Sequence, residues 1–345
     1  MKRNLLLLGI SALAAWAVMG CSSTDTPAAT TYKYAGSVTP GDFVHFERTG
    51  NTITYEVEGD VFGNVTGEVN VTDLTGDEYV FKGTVNGEET YFFTTGNIGM
   101  ASIPINGVTY LGVGLREAAT GLTADDVVGH YAYGEVDFNP TTHNPNGADG
   151  CLIDVKADQT ADLTCMDGAE ESGGWKISED KTYLLYKANT AADDITEANA
   201  DARVVVRPAE AGKPKGFLAD LAGGKGFGIG LEQVAMTQDS VKGDYLAINY
   251  LDRKLLDVTV TPDANNTEQM TYTSQRANAA GLGTGDTGGG TIRINHDCDG
   301  NAHDGIACVT DNDGAQFVGS LDNGEGYFAL IGEHNVIVGV AKPAQ

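Results

Sequence analysis

The sequence predicts an all-β protein made of antiparallel meanders. Three observations carry that expectation: period-two alternation from end to end, turn signals between the alternating runs, and a near absence of helical periodicity. Ile53, Tyr55 and Val57 alternate with Thr52, Thr54, Glu56 and Glu58. Val65, Val69 and Val71 alternate with Thr66, Glu68 and Asn70, and Leu256, Val258 and Val260 with Leu255, Asp257 and Thr259. β-Branched and aromatic residues dominate these runs, as a pleated, half-buried surface requires. Thr49-Gly50-Asn51, Thr75-Gly76-Asp77, Asn86-Gly87 and Asn106-Gly107 separate the runs. Asn-Gly favours a two-residue hairpin turn because both central positions need positive φ. The 46 glycines and 9 prolines suit many tight turns. Residues 116–120, 124–128 and 191–202 are each long enough for a turn or two of helix, and they read as connectors.

A weak internal repeat organises the strands. Residues 103–115 (IPINGVTYLGVGL), 219–231 (ADLAGGKGFGIGL) and 328–340 (FALIGEHNVIVGV) align, each ending hydrophobic-Gly-hydrophobic at Gly114, Gly230 and Gly339. Residues 123–131 (TADDVVGHY) likewise align with 237–245 (TQDSVKGDY), each opening the unit after such a hairpin. The spacing implies three tandem units of similar size, near 32–119, 122–234 and 237–342, with about eight strands apiece. Eight up-and-down strands close naturally into a small barrel and lose their edges. Small barrels or clam-like sheets are therefore expected, with few short helices.

The N-terminus has the order of a secretory signal: basic Lys2 and Arg3, an apolar run over 5–18, then small Gly20 before Cys21. The run is too short for a membrane-spanning helix. Val18-Met19-Gly20-Cys21 resembles the lipobox of bacterial lipoproteins. That resemblance implies removal of residues 1–20, acylation of Cys21, and anchorage of the mature chain in the cell envelope. Ser22 and Ser23 stand where enteric lipoproteins carry an inner-membrane retention aspartate, so the resemblance favours the outer membrane, at its periplasmic face or the cell surface. Residues 21–31 read as the lipidated cysteine and a flexible tether.

The chain carries 21 basic and 48 acidic residues. Without Lys2 and Arg3 the balance is 19 to 48, a net charge of -29 that repels phosphate backbones and excludes nucleic acid as a partner. Four cysteines remain beside Cys21, an even number for an oxidising compartment. In CLIDVKADQTADLTC (residues 151–165), a hairpin centred on Asp158 sets Cys151 opposite Cys165, Ile153 opposite Leu163 and Val155 opposite Ala161. All six then share one apolar face, and a cross-strand disulfide follows. Cys298 and Cys308 are expected to form a second bridge around a polar loop.

That loop is the richest cluster of chemistry in the chain. Asp297, Asp299 and Asn301 have the alternate spacing of a calcium loop, and Asp304, Asp311 and Asp313 extend the set of hard oxygen ligands. Ala302 and Cys308 stand where an EF-hand has Gly and Glu, so any site would be looser, and a disulfide-closed turn explains the same residues. His296, Cys298, His303 and Cys308 form a zinc alternative that the disulfide would remove. No Gly-x-Ser-x-Gly elbow occurs. Gly223-Gly224-Lys225-Gly226 opens no helix and reads as a hairpin turn rather than a phosphate loop.

Small eight-stranded barrels can hold an apolar molecule, and the mature chain is similar to lipocalins in architecture only. Phe43, Phe46, Phe62, Phe81, Phe92 and Phe93 in the first unit, or Tyr183, Tyr186 and Phe217 in the second, are candidates to line a cavity or to fill a core. The sequence thus points to a non-enzymatic envelope lipoprotein that binds a surface protein or a small apolar ligand, with no cofactor required. The alternatives are a calcium-binding surface protein and a hydrolase with a site assembled from scattered Asp and His residues.

Overall fold

The computed structural model describes residues 31–74, 80–85, 87–94, 97–118, 120–139, 141–208, 215–249, 254–277, 283–322, 327–332 and 335–342. Cys21, the leader, the Thr75-Gly76-Asp77 turn, Asn86 and His334 lie outside the described residues.

Period-two alternation produces three closed barrels of eight antiparallel strands, each an up-and-down meander. Barrel 1 runs from Thr31–Val38 to Val108–Arg116, barrel 2 from Gly129–Phe138 to Gly226–Glu232, and barrel 3 from Gly243–Asn249 to Asn335–Ala341. In each, the last strand pairs with the first: Gly36 opposite Gly114, Tyr133 opposite Gly230, Ala247 opposite Gly339. Closure pairs the backbone groups that an open sheet would leave at its edges. The turns follow their chemistry. Asn106 and Gly107 have φ of 51° and 82°, the double positive φ of a type I′ hairpin.

Two short helices join the barrels, α1 (Ala124–Val127) and α2 (Gln238–Val241). Thr123 N–H donates to Asp126 Oδ2 at 2.8 Å, and Thr237 N–H to Ser240 Oγ at 3.0 Å, so a residue three positions on closes each start. Each turn is then bolted to the following strand. Tyr131 Oη donates to the Val127 carbonyl and Tyr245 Oη to the Val241 carbonyl, both at 2.6 Å. Val127 and Val241 are buried in the interiors of barrels 2 and 3. The aligned segments 123–131 and 237–245 therefore do the same job, closing one end of the barrel they precede. The connector expectation at 191–202 is met by a single 3-10 turn at Ala192–Asp194, whereas 116–118 carries no helix.

The barrels share a core outside themselves. Val113, Leu115, Ile229, Leu231, Val338 and Val340 point outward, joining Phe43, Met100, Val136, Leu218, Leu246 and Ile331 in one buried cluster drawn from all three barrels. The intervening glycines face inward, where an added Cβ at Gly114, Gly230 or Gly339 would lie 2.7, 2.3 or 2.4 Å from a ring carbon of Phe46, Phe217 or Phe328. The hydrophobic-Gly-hydrophobic endings thus belong to strands buried on both faces. That also explains their nearly continuous apolar character.

Barrels 1 and 2 meet through Ser37, whose Oγ donates to Asp220 Oδ1 at 2.6 Å in a buried joint. Phe43 and Tyr183 pack across the same joint with centroids 5.0 Å apart, and Arg203 Nη1 lies 3.3 Å from Glu58. Barrels 2 and 3 approach so closely that a Cβ on Gly150 would be 2.7 Å from Val318 Cγ1. Both disulfides are formed. Cys151–Cys165 bridges adjacent strands in the register the alternation requires, with Ile153 opposite Leu163 and Val155 opposite Ala161. Cys298–Cys308 ties a hairpin loop of barrel 3 back onto the strand that follows it.

Candidate binding site in the middle barrel

The three interiors are filled to different degrees. In barrel 1, Tyr34 and Phe46 stack at 5.1 Å, Phe92 meets their edges at 6.1 and 5.6 Å, and Phe81 packs on Phe92. The buried Arg48 guanidinium lies 4.7 Å from the Tyr32 ring and 4.6 Å from that of Phe81. A space of about 10 Å³ remains beside Phe46 and Phe92, room for at most one water. Barrel 3 is occupied by Tyr245, Met270, Ile292 and Phe328, among others.

Barrel 2 encloses a cavity of about 400 Å³. Its walls are the inward-facing residues of seven strands; on the eighth, Gly228 and Gly230 face in and are covered by the Tyr133 and Phe217 rings. The floor is Val127, Tyr131, Trp175 and Phe217. The polar ends of these aromatics are spent in the wall. Trp175 Nε1 donates to the carbonyls of Lys156 and Thr160, both at 3.2 Å, and Tyr131 to Val127. Their ring faces are therefore left for whatever enters.

The other end of the cavity is acidic. Asp137 pairs with Gly226 beside the 222–225 turn, at the opposite end of its strand from Val127. Glu135, Asp137, Glu171 and Asp201 line this mouth with one cation, Lys225. Tyr186 Oη donates to Glu171 Oε1 at 2.8 Å, and Tyr133 lines the lumen beside Glu135. Asp201 is engaged with the Ala188 N–H at 3.0 Å and with Lys187. Burial pushes the Glu135 carboxyl above its ordinary range, and repulsion from Asp137, Asp149 and Glu171 adds to the rise, while the Tyr133 hydroxyl opposes it. Burial also raises Asp137, against the pull of Lys225. The same burial drives Tyr133 well above the usual phenol range.

Of the aromatics expected to line a cavity, Tyr186 and Phe217 do so. Tyr183 does not: it faces outward into the joint with barrel 1, because it stands one residue out of phase with the inward-facing Leu184 and Tyr186. Phe46, Phe81 and Phe92 fill barrel 1, Phe43 and Phe93 enter the shared outer core, and Phe62 packs on Tyr110 at 4.6 Å. Sequence reasoning missed Glu135, Asp137, Glu171, Trp175 and Lys225. The signal was present in Tyr131, Tyr133, Glu135 and Asp137, which alternate along one strand and so share its inner face. Gly223 and Gly224 form the expected hairpin turn, with φ of 77° and 66°, and that turn places Lys225 over the mouth.

The six oxygen ligands considered for calcium are divided between two loops. Asp297, Asp299 and Asn301 lie in the loop before the strand Ala302–Asp311, with Asp304 near its start; Asp311 and Asp313 lie at its far end. Asp304, the nearest of the first four, is still seven extended residues from Asp311, about 23 Å. Asp297 accepts from Asn301 N–H at 2.7 Å and Asn301 Nδ2 at 2.8 Å, and Asp311 Oδ1 from the N–H groups of Asp313 and Ala315, so both shape turns. The zinc alternative is corrected by the Cys298–Cys308 bond, which leaves His296 and His303 without thiolate partners. Among the described residues, the one trio of His, Cys, Asp or Glu ligand atoms within 4.8 Å is Asp149, Cys151 and Cys165, whose sulfurs are bonded to each other. Among the described residues, histidines meet carboxylates in separate pairs, His45 with Glu117, His130 with Asp154, His296 with Glu268 and His303 with Asp297, the last two neighbouring each other in barrel 3.

No protein-family model matches the chain, and no curated protein matches it. Two solved structures share local likeness over most of its length. One is the isotype 1 transferrin binding protein B of serogroup B Neisseria meningitidis, at 10% identity and TM-score 0.27, covering 92% of this chain and 77% of that one. The other is a protein of unknown function from the DUF3598 family of Nostoc punctiforme, at 9% identity and TM-score 0.20, covering 91% and 96%. TM-scores this low do not establish a common overall fold.

Proposed function

We propose that the chain is a non-enzymatic binding lipoprotein of the cell envelope, anchored through acyl chains on Cys21, and that barrel 2 holds a small, mainly apolar molecule. The observation that carries this reading is the contrast between barrels of equal strand number. Barrel 1 interlocks aromatic rings through its interior, with a space of about 10 Å³ beside Phe46 and Phe92, whereas barrel 2 holds a cavity of about 400 Å³. An eight-stranded barrel is just wide enough for side chains to fill, so an open interior reflects the choice of small residues such as Ala161, Ala202 and Ala219 on its wall. A volume of this size falls in the range of small-molecule sites. The aromatic floor supplies apolar contact, and the capped α1 turn closes the end beneath it.

Native mass spectrometry of the detergent-extracted full chain tests the proposal. The expected result is a small co-purifying mass that leaves on denaturation and is absent from Ala161→Trp, which fills the lumen. A bare wild-type chain, or a ligand retained by Ala161→Trp, overturns it.

A further inference from the structure

We infer that the ligand of the barrel 2 lumen is an amphipathic cation: an aromatic or short alkyl body seated on the floor, with an ammonium group held at the mouth. This rests on the binding role proposed above and names the chemistry of its ligand. Three independent features converge. The cavity is polarised along its axis, with Val127, Tyr131, Trp175 and Phe217 at one end and carboxylates at the other. Four carboxylates line the mouth with Lys225, and Lys187 reaches only Asp201 among them, while Asp149 adds a fifth acidic group close to Glu135. Glu171 accepts from Tyr186 Oη, and Glu135 follows Tyr133 on the same inner strand face, so acids and aromatic rings line the mouth together.

Carboxylates and aromatic rings lining one mouth are the combination that selects an organic ammonium. The charge meets the acid, and the adjoining C–H groups meet the negative face of the ring. An anionic ligand would have to bring a like charge into this mouth at a cost in desolvation and repulsion. A neutral apolar ligand would satisfy the floor but leave crowded acids uncompensated. Burial raises both the Glu135 and Asp137 carboxyls, and repulsion from neighbouring acids adds to the rise at Glu135, while Lys225 opposes it at Asp137. A bound ammonium relieves that repulsion.

The test uses three probes with one body and different heads: 4-phenylbutylamine, 4-phenylbutanol and 4-phenylbutyrate. Binding to the mature acylated protein is followed through the emission of Trp175, the one tryptophan left once residues 1–20 are removed, with Trp175→Phe as the blank. The amine is expected to bind at least about tenfold more tightly than the alcohol, the gap given by one well-placed desolvated charge contact, with the carboxylate weakest. In the Glu135→Gln/Asp137→Asn double variant, which leaves Glu171 and Asp201, the amine should lose most of its advantage over the alcohol while the alcohol's own affinity is unchanged, which also shows that the lumen is intact. Lys225→Ala should tighten the amine. On acidification the amine's advantage should fade as Glu135 and Asp137 take up protons, above the pH at which ordinary carboxylates do. Equal binding of amine and alcohol, or preference for the carboxylate, overturns the cation inference and leaves the apolar-lumen reading standing. Failure of all three to bind overturns both.

Discussion

Barrels 1 and 2 have the same strand count, the same meander and the same closure, yet one is solid and the other hollow. Barrel 1 interlocks Tyr34, Phe46, Phe81 and Phe92 around its axis and inserts Arg48 among them. Barrel 2 also places aromatics inside, but it gathers Tyr131, Trp175 and Phe217 toward one end and lines its middle with smaller side chains. The two solutions separate stability from function. A filled barrel stabilises through dispersion and area removed from water, whereas a hollow one forgoes those contacts for a binding space. The hollow barrel is braced from outside instead, by the shared outer core, the Cys151–Cys165 bridge and barrels packed on two of its sides.

The largest expected effect comes from deleting an interior ring in each barrel. Phe92→Ala should cost about 5 kcal/mol and Phe217→Ala about 3 kcal/mol, the upper and lower ends for such truncations, because Phe217 already borders empty space. Denaturant unfolding of the two variants would check this; equal losses would mean that the lumen contributes no slack.

The converse substitution sharpens the contrast. Ala101 and Ala161 are both buried alanines on interior faces, one in the solid barrel and one in the hollow one. Ala101→Leu should destabilise by about 1–3 kcal/mol through overpacking, whereas Ala161→Leu should stay within about 1 kcal/mol. Thermal unfolding of the pair decides it, and a cost at 161 as large as at 101 would contradict the cavity.

The smallest effect is at the joint between the two barrels. Burial holds the Asp220 carboxyl well above its ordinary range, with the Ser37 hydrogen bond opposing. A carboxyl raised in the folded state contributes stability that is fully present below its unfolded pKa and is lost as pH rises through the folded one. Asp220→Asn cannot ionise and keeps an acceptor for Ser37. It should therefore be near neutral at pH 4 and stabilising at neutral pH, on the order of 1 kcal/mol. Stability curves of both proteins from pH 4 to 8 should diverge upward; parallel curves would show that Asp220 does not govern the joint.

Much of this was legible in the chain. The hairpin from Cys151 to Cys165 could be set in register residue by residue, because alternation permits only one pairing that keeps both cysteines and four apolar residues on one face. Asn106-Gly107 announced its turn, and the alignment of 123–131 with 237–245 announced equivalent openings of the second and third units. The binding site was less legible. Glu135 and Asp137 share a face with Tyr131 and Tyr133, but in so acidic a sequence a pair of carboxylates on a strand reads as solvent-facing. Lys225 lay in a turn with no local sign of what it overhangs.

By itself, then, the sequence determined local matters: strands, turns, registers, disulfide partners and the count of three units, since each depends on neighbours within a hairpin. The tertiary structure decided which face of each strand looks inward. In LGVGL, FGIGL and VIVGV the residues flanking Gly114, Gly230 and Gly339 turned out to face a core between barrels, and those three glycines to face in beneath aromatic rings. Alternation has two phases and cannot say which one is the lumen when both faces are buried. Whether a barrel is full or hollow depends further on the summed volume of side chains from eight strands meeting at one axis, a quantity no single hairpin contains.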